Sequence, residues 1–175
     1  MEEKIKGLSN KDLQELKFMC GDSGWTEDSN EKKQYLSEQR GLFKSFSPII
    51  LKPKNTNTVA KILKYCSRNS IPVVPQGGNT GLVGGTVCGK YDEILISLEK
   101  INKVRAISES DSVITIEAGT TLDNVQKLAK SINKFFPLSL ASEGTCQIGG
   151  NLATNAGGVH VIKYGNTRDL VLGLE

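Results

Sequence analysis

Paired cysteines, histidines and charge of one sign are all scarce in this 175-residue chain, and each scarcity excludes a class of chemistry. The four cysteines, Cys20, Cys66, Cys88 and Cys146, stand 46, 22 and 58 residues apart, so no CxxC pair exists for zinc, an iron–sulfur cluster or a dithiol redox couple. A reduced, cytoplasmic protein is the expectation. With a single histidine, His160, a histidine-rich metal site is excluded, a Ser-His-Asp triad would hang on one residue, and no metal ligand set is expected. Lysine and arginine outnumber aspartate and glutamate by 22 to 19, and that small excess is spread along the chain, so no basic face for a nucleic acid follows. Residues 69–89 carry no charge, yet eight of these 21 are Gly or Pro, which makes the segment loop-bearing and not a transmembrane span. The opening Met1-Glu2-Glu3-Lys4-Ile5-Lys6 leads into no apolar stretch, so no secretory signal is expected.

At 38% hydrophobic and 23% charged, the chain has enough apolar surface for one independently folding domain. Residues 1–20 carry Ile5, Leu8, Leu13, Leu16 and Met19, with Ser9 three before Asp12 as a capping box, and predict a first helix. Gly21–Arg40 is polar and turn-rich with Trp25 and Tyr35 as anchors, so residues 1–40 form a helical lead-in, either wrapped on the domain that follows or a mobile arm. Ile49-Ile50-Leu51 predicts a short buried strand, Asn55-Thr56-Asn57 caps a helix bearing Val59, Ile62, Leu63 and Cys66, and Ile71–Pro75 predicts a second strand, a βαβ unit. Further strands are expected at Glu93–Leu98 and at Ser112–Ala118, the latter in a hairpin with Val104–Ile107. Thr120 or Thr121 caps a helix carrying Leu122, Val125, Leu128, Ala129 and Ile132, and Leu170–Glu175 predicts a last strand.

Glycine is the surplus residue. Of 18, six fall in residues 77–89 and six in 144–165. In Pro75-Gln76-Gly77-Gly78-Asn79-Thr80-Gly81-Leu82-Val83-Gly84-Gly85-Thr86, successive glycines let backbone N–H groups approach a phosphate with no Cβ in the way. Two familiar phosphate motifs fail here. The spacing departs from GxGxxG and Leu82–Lys90 has no helical stripe, while after Gly84-x4-Gly89-Lys90 a Tyr91 stands where Ser or Thr must hold magnesium. A ligand-free glycine-rich hairpin is the plainer reading of this window taken alone. The second window, Ser142–Gly158, gathers small residues, amides and hydroxyls into a surface suited to a flat polar heteroaromatic ring.

Residues 71–85, together with Gly-Gly-Asn-Leu-Ala-Thr-Asn-Ala-Gly-Gly-Val-His at 149–160 and Lys-Tyr-Gly at 163–165, resemble the PCMH-type FAD-binding domain of FAD-linked oxidases. The resemblance is to the branch of D-lactate dehydrogenase, D-2-hydroxyglutarate dehydrogenase and the glycolate oxidase flavin subunit. It implies an α+β fold, a small βαβ subdomain followed by a larger mixed sheet with helices, in a domain over residues 41–175 that stops short of its C-terminus. By the same resemblance, Gln76, Gly77, Gly78, Asn79, Thr80 and Gly81 bind the FAD pyrophosphate. Ser142, Gly144, Cys146, Gly149, Gly150, Asn151, Thr154, Asn155, Gly157 and Gly158 lie along the flavin and its ribityl chain. Relatives that attach FAD covalently have His where this chain has Asn79, so the FAD is expected to be dissociable.

The chemistry implied is hydride transfer from a D-2-hydroxy acid of the D-lactate, D-2-hydroxyglutarate or glycolate class to the flavin. In the family the substrate-binding cap with its catalytic histidine follows the FAD domain, so no catalytic residue is assigned here. His160, Lys163 and Arg168 are read as packing or surface groups. The expected partner is a separately encoded C-terminal half, which would supply the substrate site. Peripheral membrane contact would come only through the electron acceptor. The alternatives are a non-catalytic FAD-binding remnant and a different enzyme of the same fold, of the UDP-N-acetylenolpyruvoylglucosamine reductase type, which the long second window disfavours.

Overall fold

The computed structural model describes residues 8–89 and 92–175, which leaves Ile5, the start of the expected first helix, Lys90 and Tyr91 outside it. The chain divides into two compact units, Met1–Ile101 and Asn102–Glu175.

In the first unit, helix α1 (Asn10–Cys20) starts at the expected box: Ser9 Oγ accepts from the Asp12 amide and the Asp12 carboxylate accepts from the Ser9 amide. Strand β1 (Trp25–Thr26), helix α2 (Ser29–Leu36), strand β2 (Ile50–Leu51), helix α3 (Thr56–Arg68), strand β3 (Val73–Gln76) and strand β4 (Ile94–Ser97) follow. The sheet runs β1-β2-β4-β3, with β2 and β3 both parallel to β4 and β1 antiparallel to β2. Thus the two strands joined by α3 do not pair with each other; β4 lies between them. All four residues of β4 are buried, as expected of a central strand covered on both faces. Ile49, Leu51, Ile94 and Ile96 meet Leu16 and Cys20 of α1 and Ile62 and Cys66 of α3 on one face. Ile50 and Leu95 turn the other way, toward Tyr35 of α2 and Cys88.

The lead-in thus supplies a strand and two helices to this unit. Helix α2 shows no apolar stripe, only Tyr35 and Leu36, but Asp28 caps it by accepting from the Asn30 and Glu31 amides, both at 2.9 Å.

The second unit begins with the expected hairpin, strand β5 (Val104–Ser108) antiparallel to strand β6 (Val113–Ile116). Helix α4 (Leu122–Ser131) follows, and of the two candidate caps it is Thr121 that accepts from the Asn124 amide. Leu122 packs with Leu138 and Cys146, and Leu170 joins them. Helix α5 (Ile148–Ala153), helix α6 (Val161–Tyr164) and a 3-10 turn at Thr167–Leu170 complete the unit. The second glycine window is partly helical, and one expectation changes: the last run is no strand, since Leu172 and Leu174 are exposed and no described residue offers Leu170–Glu175 a ladder.

Candidate functional site

Strand β3 delivers the first glycine window at its carboxyl end. Gln76 is buried and its Nε2 donates to the Tyr35 carbonyl at 2.8 Å, which ties the start of the loop to α2. The Tyr35 hydroxyl donates to Glu99, and burial together with that carboxylate pushes the phenol well above its ordinary range. Asn79, in the left-handed region at φ 53°, is held on both sides of its amide: Nδ2 donates to the Ser37 carbonyl at 2.8 Å, and Oδ1 accepts from Thr86 Oγ1 at 2.8 Å. Gln39 Nε2 donates to the Asn79 carbonyl in turn. Residues just after α2 therefore fix the loop, a role for the lead-in that no motif announced.

What the loop leaves without acceptors is its backbone N–H groups. Among the described residues, no backbone amide from Gly77 to Thr86 finds an acceptor within the chain. The Thr80 side chain is likewise without a partner, and a Cβ at Gly81 or Gly85 would meet nothing within 4 Å. A row of N–H groups without intrachain acceptors, open at Gly81 and Gly85, is a donor set that a diphosphate can use.

The second window is built differently. The turn at Ser142–Cys146 is closed by the Thr145 and Cys146 amides donating to the Ser142 carbonyl, at 2.9 and 2.8 Å. Glu143 accepts from Ser139 Oγ at 2.7 Å and from the Leu140 amide, and the Ser139 hydrogen bond is the foremost reason its carboxyl is held below the ordinary range. Cys146 is buried, and Asn151, also buried, points Nδ2 at its sulfur. Thr154 Oγ1 donates back to the Gly150 carbonyl, and Asn155 adopts φ 52°.

The glycines of this window fall into two kinds. Gly149 is pressed on Ala118, whose carbonyl accepts its amide at 2.8 Å; Gly157 lies against Asn166; Gly158 has φ 76° and abuts the Ser139 carbonyl. A Cβ at Gly144 or Gly150, by contrast, would meet nothing within 4 Å. Of the expected residues, Gly144 and Gly150 thus have open space at the Cβ position, whereas Gly149, Gly157 and Gly158 are packed and Cys146 is buried.

Two buried polar atoms lie beside α5, one on Thr120, which the sequence offered only as a helix cap, and one on Gln147, which the sequence did not single out. Thr120 Oγ1 and Gln147 Oε1 have no partner among the described residues, and the backbones of Thr121 and Gln147 form a bridge. An orphaned amide oxygen of this kind suits the N–H edge of a polar ring. A cavity of about 670 Å³ adjoins α5, lined by Gly149, Leu152, Ala153, Arg168 and residues 171–174. His160 is engaged elsewhere: Nδ1 lies 2.9 Å from the Pro137 carbonyl, and the ring packs edge-on with Phe135 and Tyr164.

The first window offers amide donors, and the second a small-residue surface with orphaned polar atoms. Comparison with known proteins gives the family. A family model described as FAD binding domain matches residues 47–175. Over 96% of its length the chain is 42% identical to a probable mitochondrial D-2-hydroxyglutarate dehydrogenase of Oryza sativa subsp. indica, of which it spans 30%. It is 37% identical over 98% of its length to a putative mitochondrial D-lactate dehydrogenase of Schizosaccharomyces pombe, of which it spans 34%. Among solved structures, alkyldihydroxyacetonephosphate synthase superposes on 97% of the chain with a TM-score of 0.81 at 19% identity, a likeness of fold over 33% of that protein. Among the described residues no helix is long and apolar enough to cross a membrane.

Proposed function

The chain belongs to the FAD binding domain family, and from that membership we propose that it holds FAD for oxidation of a D-2-hydroxy acid of the D-lactate, D-2-hydroxyglutarate or glycolate class. No residue of the FAD surface is assigned as the base that takes the hydroxyl proton, and the chain spans about 30% of the length of the curated relative it matches. Bound FAD would supply the hydride acceptor.

The run of amides without acceptors from Gly77 to Thr86 carries the reading. The amides of Gly77, Gly78, Asn79, Thr80 and Gly81, with the Thr80 hydroxyl, bind the diphosphate; Gln76 and Asn79 hold the loop in shape through their side-chain bonds to the Tyr35 and Ser37 carbonyls. Ser142, Gly144, Cys146, Gly149, Gly150, Asn151, Thr154, Asn155, Gly157 and Gly158 form the surface for the flavin and ribityl chain. Attachment is non-covalent, because Asn79 offers no nucleophile and its amide is already bonded on both sides.

Titration of the purified chain with FAD, followed by quenching of flavin fluorescence, tests this directly. Saturable uptake is expected, and acid precipitation of the loaded protein should leave the yellow colour in the supernatant. Gly81→Val, at a position where an added Cβ meets nothing within 4 Å, should spare the fold and abolish uptake. Absence of uptake by the unaltered chain overturns the reading, and colour retained in the pellet overturns the non-covalent attachment.

A further inference from the structure

Helix α5 does not end freely. The Ala156 amide donates to the Asn151 carbonyl at 2.8 Å and the Asn155 amide to the Leu152 carbonyl at 3.1 Å, a Schellman closure with Asn155 in the left-handed position where glycine is the usual occupant. A non-glycine residue there needs support, and the support comes from the 3-10 turn. Arg168 donates its backbone N–H to Asn155 Oδ1 at 3.1 Å, while its guanidinium reaches back to the last helical carbonyls, Nε to Leu152 at 3.1 Å and Nη2 to Ala153 at 2.9 Å. The preceding residue joins in: the amide and hydroxyl of Thr167 both donate to the Ala156 carbonyl, at 2.9 and 2.6 Å. The turn is itself braced by Asp169, which accepts from the Asn166 amide at 2.7 Å.

We propose that Arg168 is a positioning residue for the flavin-binding window, fixing the exit of α5 and the left-handed conformation of Asn155 so that residues 150–156 present one preformed surface. The proposal rests on the reading that this window takes the flavin. A forked, permanently charged guanidinium suits two adjacent carbonyls at the negative end of a helix, a geometry that a lysine ammonium matches with one bond at most. Read from sequence alone, Arg168 is a solvated surface charge. Its contacts instead join the turn to the window.

The test separates the two halves of the cofactor. Arg168→Ala should weaken FAD and FMN binding by about tenfold or more, the scale of a lost charge-assisted hydrogen bond. ADP, which would contact only the first loop, should bind as it does to the unaltered chain, and Arg168→Lys should lie between. FAD affinity unchanged in Arg168→Ala, in a protein whose unaltered form takes up FAD, overturns the clamp alone; equal losses for ADP and FAD also overturn it, since a merely structural role lowers both. No uptake by the unaltered chain overturns the underlying reading and the clamp with it. Should Arg168→Ala fail to fold, Arg168→Lys decides the matter: with at most one of the two guanidinium bonds to the Leu152 and Ala153 carbonyls replaced, it should still lose FAD and FMN affinity selectively, and unchanged affinity is again fatal.

Discussion

Gly150 and Gly158 lie in one window and answer to opposite demands. A Cβ at Gly150 would point into open space from a helix, so alanine there should raise stability by roughly 0.5–1 kcal/mol through the lost backbone freedom of the unfolded chain. If that open face receives the flavin, the same change should weaken FAD uptake. At Gly158 the φ of 76° and the adjacent Ser139 carbonyl leave no room, and alanine should cost roughly 1–3 kcal/mol. Thermal melting of the two variants, read beside flavin titration, separates a glycine kept for the ligand from one kept for the fold; a Gly150→Ala protein that is more stable and binds FAD undiminished would remove Gly150 from the site. Sequence placed both in one cofactor surface, because composition reveals where glycines cluster and not which atoms surround each.

At the scale of elements, legibility followed the apolar stripe. Helices α3 and α4 bury Ile62 and Cys66, and Leu122, Val125 and Ala129, at helical spacing, and both were evident before any coordinate. Helix α2 was not, having only Tyr35 and Leu36 to bury; its trace in the sequence was Asp28 followed three residues on by Glu31. Helix α5 was hidden for another reason, since Gly149-Gly150-Asn151 is poor helix sequence and forms one only because Gly149 packs on Ala118 and bonds its carbonyl. The sheet between α1, α3 and α2 also fixes a pH response. Burial is the main force raising the thiols of Cys20, Cys66 and Cys88 from 9.0 to about 11, aided by the nearby Asp12 charge at Cys66 and Glu93 at Cys88. A raised thiol pKa leaves the folded state neutral while the unfolded chain ionises, so this contribution is complete below pH 9.0 and is lost as pH climbs through about 11. Denaturant melts of the unaltered chain should therefore weaken across that interval, and replacing Cys66 with alanine should flatten part of the decline. A decline equally steep in the variant would assign the alkaline limb to other groups.

For the whole molecule, the decisive fact is proportion: a chain that matches the curated relatives along nearly all of its own length spans only 30% of theirs. The groups proposed for FAD would bind and shape; none of the sixteen expected cofactor residues is a general base, and His160 lies against the Pro137 carbonyl. Transition-state chemistry on a 2-hydroxy acid needs a base and a cation for the carboxylate, each positioned to within hydrogen-bond reach. Loaded with FAD, the chain should therefore be stabilised, by about 2.7 kcal/mol at a hundredfold excess over Kd, yet should reduce no dye with D-lactate, D-2-hydroxyglutarate or glycolate. Co-expression with the C-terminal two-thirds of one of the long relatives should restore turnover. Activity without a partner would place the base inside these 175 residues, with His160→Ala as the first variant to make. Stabilisation by FAD with no turnover under any complementation would reduce the protein to a flavin carrier. The binding assignment would survive that outcome, because the amides of residues 77–86 would still have found their acceptor, whereas the proposed oxidation of a hydroxy acid would not.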